Sequence, residues 1–313
     1  MPKPKTKESF PKTKFTILKE KAKSVSFRGF DGVSYLHVIK FFLSGLKNGF
    51  FAVRASAIAF NFALAIFPTM LFLFALIPFI PVENLQLELF NLIKDFLPQN
   101  AFQYFESTLI SVVMVKKIGV FSIGAFASLI FSTNAVHVLI QSFSNTYHSI
   151  DTRKWIATRI VSTFLVFTIF ILIAISVLLI TFGQFFLTKL VELEILQMNL
   201  TYYLIYASKW VVIIALFFFS ISFLYYFAPA NKSQWKFISP GSTIATFLAL
   251  LTSLGFSYFV NNFGLYNKLY GSIGTIMVIL LWLYFNSIAL ILGFELNASI
   301  NNAQLDNANG EKH

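Results

Sequence analysis

The chain has 313 residues, of which 57% are apolar and only 12% charged, whereas about a quarter of an ordinary soluble domain is charged; this is the composition of a membrane protein. It contains no cysteine, which excludes disulfides, thiol redox chemistry, a thiolate nucleophile and a cysteine zinc site. The net charge of +11 is concentrated rather than spread, with half of the 24 basic residues before residue 55, so it points to membrane orientation and not to nucleic acid.

Residues 1–35, beginning MPKPKTKESFPKTKFTILKEKAK, are rich in lysine and hold no apolar core long enough for a cleavable signal peptide. They read as a basic, disordered cytoplasmic tail. Its lysines suit anionic lipid headgroups, each contributing on the order of 1 kcal/mol near the surface; the plainer alternative is that they only fix orientation. In the following LHVIKFFLSGLKNGFF, Leu36, Ile39, Phe42, Leu43 and Leu46 recur at helical spacing, with Lys40 and Lys47 nearby. That is the pattern of an amphipathic helix lying in the interface.

Six segments then meet the requirement of roughly 20 apolar residues to cross about 30 Å of hydrocarbon. They lie near 55–80, 118–142, 160–186, 203–228, 239–260 and 272–296. Backbone amides in lipid need internal partners, and the strands of a barrel would be shorter and alternate in polarity, so these segments are helices. The expected fold class is all-α, a polytopic membrane helix bundle with six transmembrane helices plus amphipathic interfacial helices. It occupies residues 36–300, with a cytoplasmic C-terminal tail at 301–313. Between the first two spans, Leu85, Leu89, Leu92, Ile93 and Phe96 share one helical face, which suits amphipathic helices that cap the bundle or grip a lipid. No repeat of fixed period stands out.

Orientation follows from Lys and Arg. With the N-terminus inside, one side holds the basic tail through Arg54, the loop with Arg153, Lys154 and Arg159, the loop with Lys232 and Lys236, and Lys312. The other side holds only Lys94, Lys116, Lys117, Lys189, Lys209 and Lys268. Both termini are therefore expected in the cytoplasm.

Polar residues inside the spans are the candidate functional groups. In the first span, Ala55, Ala57, Ala59, Ala63 and Ala65 permit close helix contact. Asn61 is placed to hydrogen-bond inward, and Pro68 frees a carbonyl and kinks the helix, as a hinge or as fixed shape. In the second span, Asn134, His137, Gln141 and Asn145 fall at spacings of three, four and four, which aligns them as one stripe. Such a stripe faces other helices through hydrogen bonds or lines a wet cavity, because facing hydrocarbon is costly. A lone histidine without a second ligand at metal spacing does not make a metal site, and no metal or cofactor is expected. Trp155 and Trp235 fit an inner aromatic belt, whereas Trp282 falls near the middle of the last span, with Asn286 a turn away as a candidate partner for its N–H.

Glu295 is the only acidic residue within any of the six segments. It falls in the last turn of its segment, where the helix macrodipole disfavours a negative charge. A basic partner is therefore expected, and Arg54 at the start of the first span is the first choice over Arg159 and Lys236, since a guanidinium suits a bidentate ion pair. The alternative is a carboxylate exposed among headgroups.

Three stretches resemble a known family: RASAIAFNFALAIFP at 54–68, YYFAPANKSQWKFISPGS at 225–242 and YGSIGTIMVILLWLYFNSIALILGFELNAS at 270–299. They are similar to the bacterial YihY/BrkB family of six-span inner-membrane proteins. In that family the last stretch has the form YGS-x-G, an apolar run, W-x-Y/L, then G-A/F-E-L-N. Tyr270, Gly271, Ser272, Gly274, Trp282, Gly293, Glu295 and Asn297 fit it, and Pro68, Pro240 and Gly241 fall in the other two stretches. Where the family commonly has a tyrosine pair and a serine before the proline, this chain has Asn61, Phe62 and Ala65.

The resemblance implies the bacterial inner (plasma) membrane and a connection with envelope lipid movement. It also brings two older labels, ribonuclease BN and a serum-resistance virulence factor. RNA hydrolysis needs paired carboxylates for metal ions, or a histidine with a basic partner in an exposed groove, and the sequence has no such cluster, so no catalytic residue is assigned. The leading expectation is a non-enzymatic translocator of a phospholipid or lipid-linked glycan, with membrane lipids as partners. The alternative is a scaffold that binds other envelope proteins. Nothing in the sequence sets the oligomeric state.

Overall fold

The computed structural model describes residues 35–48, 50–79, 115–144, 153–195, 198–230, 235–262 and 264–310. It contains helices α1 (Tyr35–Asn48), α2 (Phe51–Leu76, continued by a 3-10 turn Ile77–Phe79), α3 (Ile118–Ser144), α4 (Trp155–Glu192), α5 (Met198–Phe227), α6 (Pro240–Asn262) and α7 (Gly264–Gly310). Among the described residues there is no strand, and the six helices α2 to α7 are long and apolar enough to cross a membrane. The protein is an all-α polytopic membrane bundle. The basic tail at 1–34, the segment between α2 and α3 that carries Leu85 to Phe96, and Asn145 lie outside the described residues.

Each spanning helix packs on its neighbour in the chain, α2 on α3 and onward to α6 on α7, and α7 packs back on α2. The six helices thus form a closed ring. The largest core cluster draws Ile58 from α2, Leu139 and Phe143 from α3, Leu165 from α4, Tyr225 from α5, Ala245 from α6 and Phe294 from α7. Outward faces expose Phe67, Ile171, Phe247 and Tyr258, as lipid-facing surfaces do when hydrocarbon rather than water covers them.

Close approach is set by small residues. Ala55, Ala59 and Ala65 are buried on α2, while Ala57 points outward. A Cβ on Gly124 of α3 would sit 3.2 Å from the Phe72 backbone, and the Thr69 and Ser128 hydroxyls bond across the same interface at 3.0 Å. α2 is helical on both sides of Pro68.

α1 divides its apolar face. Val38, with Phe41 and Phe42, packs against Leu296, Ile300 and Ala303 of α7, while Ile39 and Leu43 remain exposed. This contact supports the far end of α7, which has 47 residues and is therefore about 70 Å long, more than twice the hydrocarbon thickness. Residues 301–310, expected in the C-terminal tail, are the end of this helix. Glu295 consequently lies well inside α7 and not in its last turn, so the macrodipole argument for a basic partner does not apply to it.

Candidate functional site

The end of the ring that carries Arg54, Arg153 and Arg159 also gathers GFELN of α7, whose residues divide among four neighbouring helices. Gly293 and Asn297 are one turn apart and face α6. A Cβ on Gly241 would fall 2.1 Å from the Gly293 carbonyl oxygen, and one on Gly293 would fall 2.5 Å from the Gly241 carbonyl oxygen, so the two backbones touch and no other residue fits. Asn297 accepts from the Gly241 N–H at 2.8 Å and donates to the Ser239 hydroxyl at 2.8 Å. Phe294 stacks on Phe143 of α3 at 4.2 Å and on Trp235 at 4.9 Å. Leu296 packs on α1.

Glu295 is two positions from Gly293, on the opposite side of α7, where Arg54 of α2 lies. The Arg54 Nη1 donates to Glu295 Oε1 at 2.6 Å, with the glutamate fully buried. The Arg54 Nε donates to the Ser142 carbonyl of α3 at 2.8 Å. The structure therefore brings Arg54 and Glu295 together in an ion pair that joins α2, α3 and α7, and the burial of both groups, rather than the helix dipole, is what demands it.

The segment SPGS at the start of α6 follows capping rules. The Ser242 N–H donates to the Ser239 hydroxyl at 3.1 Å and the Ser239 N–H to the Ser242 hydroxyl at 3.2 Å, a reciprocal capping box with serine in place of the usual acid. Pro240 stands at the first helical position, where its missing N–H costs nothing. Tyr225 of α5 donates to the Leu290 carbonyl of α7 at 2.5 Å.

The stripe on α3 does not act as one unit. Asn134 turns to α2 and donates to Asn61 Oδ1 at 2.9 Å, while Asn61 donates to the Ala57 carbonyl. His137 and Gln141 turn to α4 and line a cavity of about 340 Å³ together with Ile140, Ser144, Arg153, Trp155 and Thr158. His137 is only 6% exposed, and its Nδ1 is buried without a hydrogen-bond partner. Arg153 donates to the Phe227 and Pro229 carbonyls at 2.7 and 2.6 Å, closing the C-terminal end of α5. Burial pulls its guanidinium below the usual arginine range, where it remains charged.

A second cavity, of about 280 Å³, opens between the spanning helices and is mainly apolar. Phe62, Ile169, Phe217, Ser220, Ile221, Leu224, Ala249, Trp282, Asn286 and Ser287 line it, with side chains drawn from α2, α4, α5, α6 and α7. The Trp282 N–H donates to the Ser253 hydroxyl of α6 at 3.2 Å. Asn286, the partner expected from spacing, instead donates back to the Trp282 carbonyl at 2.9 Å. Trp235 is likewise in the core, 9% exposed and stacked on Phe294, not in an aromatic belt; Trp155 is exposed. Tyr270, Gly271, Ser272 and Gly274 belong to α7, with side chains outside the described set.

Sequence reasoning placed Arg153 only as a topology signal and missed its hold on α5. It also missed the Ser142 carbonyl, which carries no side-chain signature.

A ring of six spanning helices, tied at one end by a buried ion pair and with cavities between its helices, defines a polytopic membrane protein of the helical-bundle class. Over residues 43–313 the sequence matches the family described as Virulence factor BrkB, and the chain belongs to that family. It is 29% identical over 245 residues to the ribonuclease-like protein YfkH of Bacillus subtilis strain 168, an alignment covering 78% of this chain and 88% of that one. A UPF0761 membrane protein of Tolumonas auensis is 31% identical over 86 residues, and one of Pseudoalteromonas translucida is 35% identical over 77 residues. These two alignments span 28% and 26% of those relatives. No solved structure matches the chain.

Proposed function

We propose that this protein moves an amphipathic lipid, a phospholipid or a lipid-linked envelope glycan, across the membrane. The observation that carries the proposal is the mainly apolar cavity between the spans, which side chains from five of the six line. A cavity at membrane depth bounded by Phe62, Ile169, Leu224 and Trp282 is matched to an acyl chain. Ser220, Asn286 and Ser287 supply the few polar groups within it. The polar cavity beside Arg153 lies at the basic end, at the level of headgroups. In this reading the basic end faces the cytoplasm of the inner membrane, by the excess of Lys and Arg there, and the N-terminal lysines rest on anionic lipids. No G-x-x-x-x-G-K-S/T occurs in the chain, so a gradient, a partner or the lipid itself drives the movement.

The buried ion pair favours a second reading. Arg54, Gly293, Glu295 and Asn297 serve the fold, as a scaffold for other envelope proteins would require. A nuclease role, suggested by the name of the Bacillus relative, finds little support: among the described residues no three His, Asp or Glu side chains group as metal ligands would.

A phospholipid bearing a photoactivatable group on its acyl chain tests the proposal in native membranes. Labelling of Ser220, Ile221 and Leu224 on α5 and of Asn286 on α7 is expected. Labelling confined to outward residues such as Phe67, Ile171 and Phe247 would contradict it.

A further inference from the structure

The polar cavity between α3 and the start of α4 has the features of a site for an oxyanion. His137 is among its lining residues, and the Nδ1 of that side chain is buried without a hydrogen-bond partner, a state that native structures owe to strain, to a functional role or to a bound water or ion. Its floor is the N-terminus of α4, a helix of 38 residues whose Lys154 cap makes no side-chain bond. Trp155 and Thr158 of that first turn line the space, so the positive end of the helix dipole is next to it. The Arg153 guanidinium also lines it and is pinned by two carbonyls, which fix its position without neutralising its charge. Arg159, a turn further along α4, adds its charge to the field at His137. Among the described residues, no carboxylate lines it.

We propose that this cavity binds a phosphate group. His137, the Gln141 amide, Arg153 and the first turn of α4 are its donors. That the phosphate belongs to a lipid headgroup rests on the translocation reading; the site itself does not, because a free phosphate meets the same donors.

The test uses the full chain purified in a maltoside detergent, which carries no phosphate. Binding is measured by titration calorimetry with three probes: dihexanoyl phosphatidylglycerol, dihexanoyl glycerol and inorganic phosphate. Saturable binding of the phosphatidylglycerol but not of the glycerol is expected, weakened at least about tenfold by Gln141→Ala and by His137→Asn. Lys189→Ala, at the opposite end of the bundle, should leave it unchanged. Equal affinity for inorganic phosphate, with the same loss in the variants, supports the site and assigns it to a soluble anion. The proposal is overturned if no phosphate-bearing probe binds, or if both variants remain folded by circular dichroism and bind as wild type does. Binding in detergent needs no transport, so its failure and a failure of lipid movement are separate results.

Discussion

Arg54 and Glu295 are 241 residues apart in sequence and meet at 2.6 Å with almost no exposure. Removing one member of such a pair leaves the other charge buried, at a cost of about 3–5 kcal/mol. Glu295→Ala is therefore expected to lower the thermal unfolding midpoint in detergent sharply, and Arg54→Leu combined with Glu295→Leu to recover much of the loss. A double variant no more stable than Glu295→Ala would contradict the clamp. Topology and the scarcity of acids point to this meeting in the sequence. The partner of Trp282 was not legible, because Ser253 comes within reach only through the rotation of α6 against α7. Trp235 was misplaced for a related reason: a belt tryptophan and a core tryptophan beside a span end look alike in sequence.

At the scale of elements, the crossing of α6 and α7 depends on two glycines in backbone contact and on one asparagine that caps α6. Gly293→Ala would drive a methyl group into the Gly241 carbonyl, Ala245 and the Tyr225 hydroxyl. It is expected to destabilise by more than the ~1–3 kcal/mol of ordinary overpacking, because a backbone, not a flexible side chain, must give way. Asn297→Ala removes the cap bond to the Gly241 N–H and should lose about 1–2 kcal/mol. Hydrogen exchange at the start of α6 reads both: faster exchange there than at the α6 C-terminus is expected, and uniform exchange would contradict the capping role. The spans themselves were legible from length and apolarity alone. The division of the α3 stripe was not, since spacing aligns Asn134, His137 and Gln141 but does not say that α2 takes the first and a cavity the other two. The length of α7 was hidden as well. Residues 301–310 read as a polar tail, and only the contact of Ile300 and Ala303 with α1 explains a helix continuing past the apolar run.

For the whole molecule, a firm clamp at one end of the bundle stands beside a cavity between the spans. The clamp, the glycine crossing and the Phe294 stack all lie at the basic end, whereas the apolar cavity runs along the spans between α2, α4, α5, α6 and α7. If the protein moves lipid as proposed, filling that cavity should stop the movement without unfolding the protein. Ser220→Phe is suited to this, because Ser220 lines the cavity. The most direct measurement is lipid scrambling in liposomes reconstituted with wild type and Ser220→Phe, read as the fraction of fluorescent phospholipid made accessible to an outside quencher. Quenching beyond the outer leaflet is expected with wild type, and a return towards the protein-free level with Ser220→Phe. Well-folded wild type that leaves the inner leaflet protected for every phospholipid and lipid-linked glycan tried would contradict it and favour the scaffold.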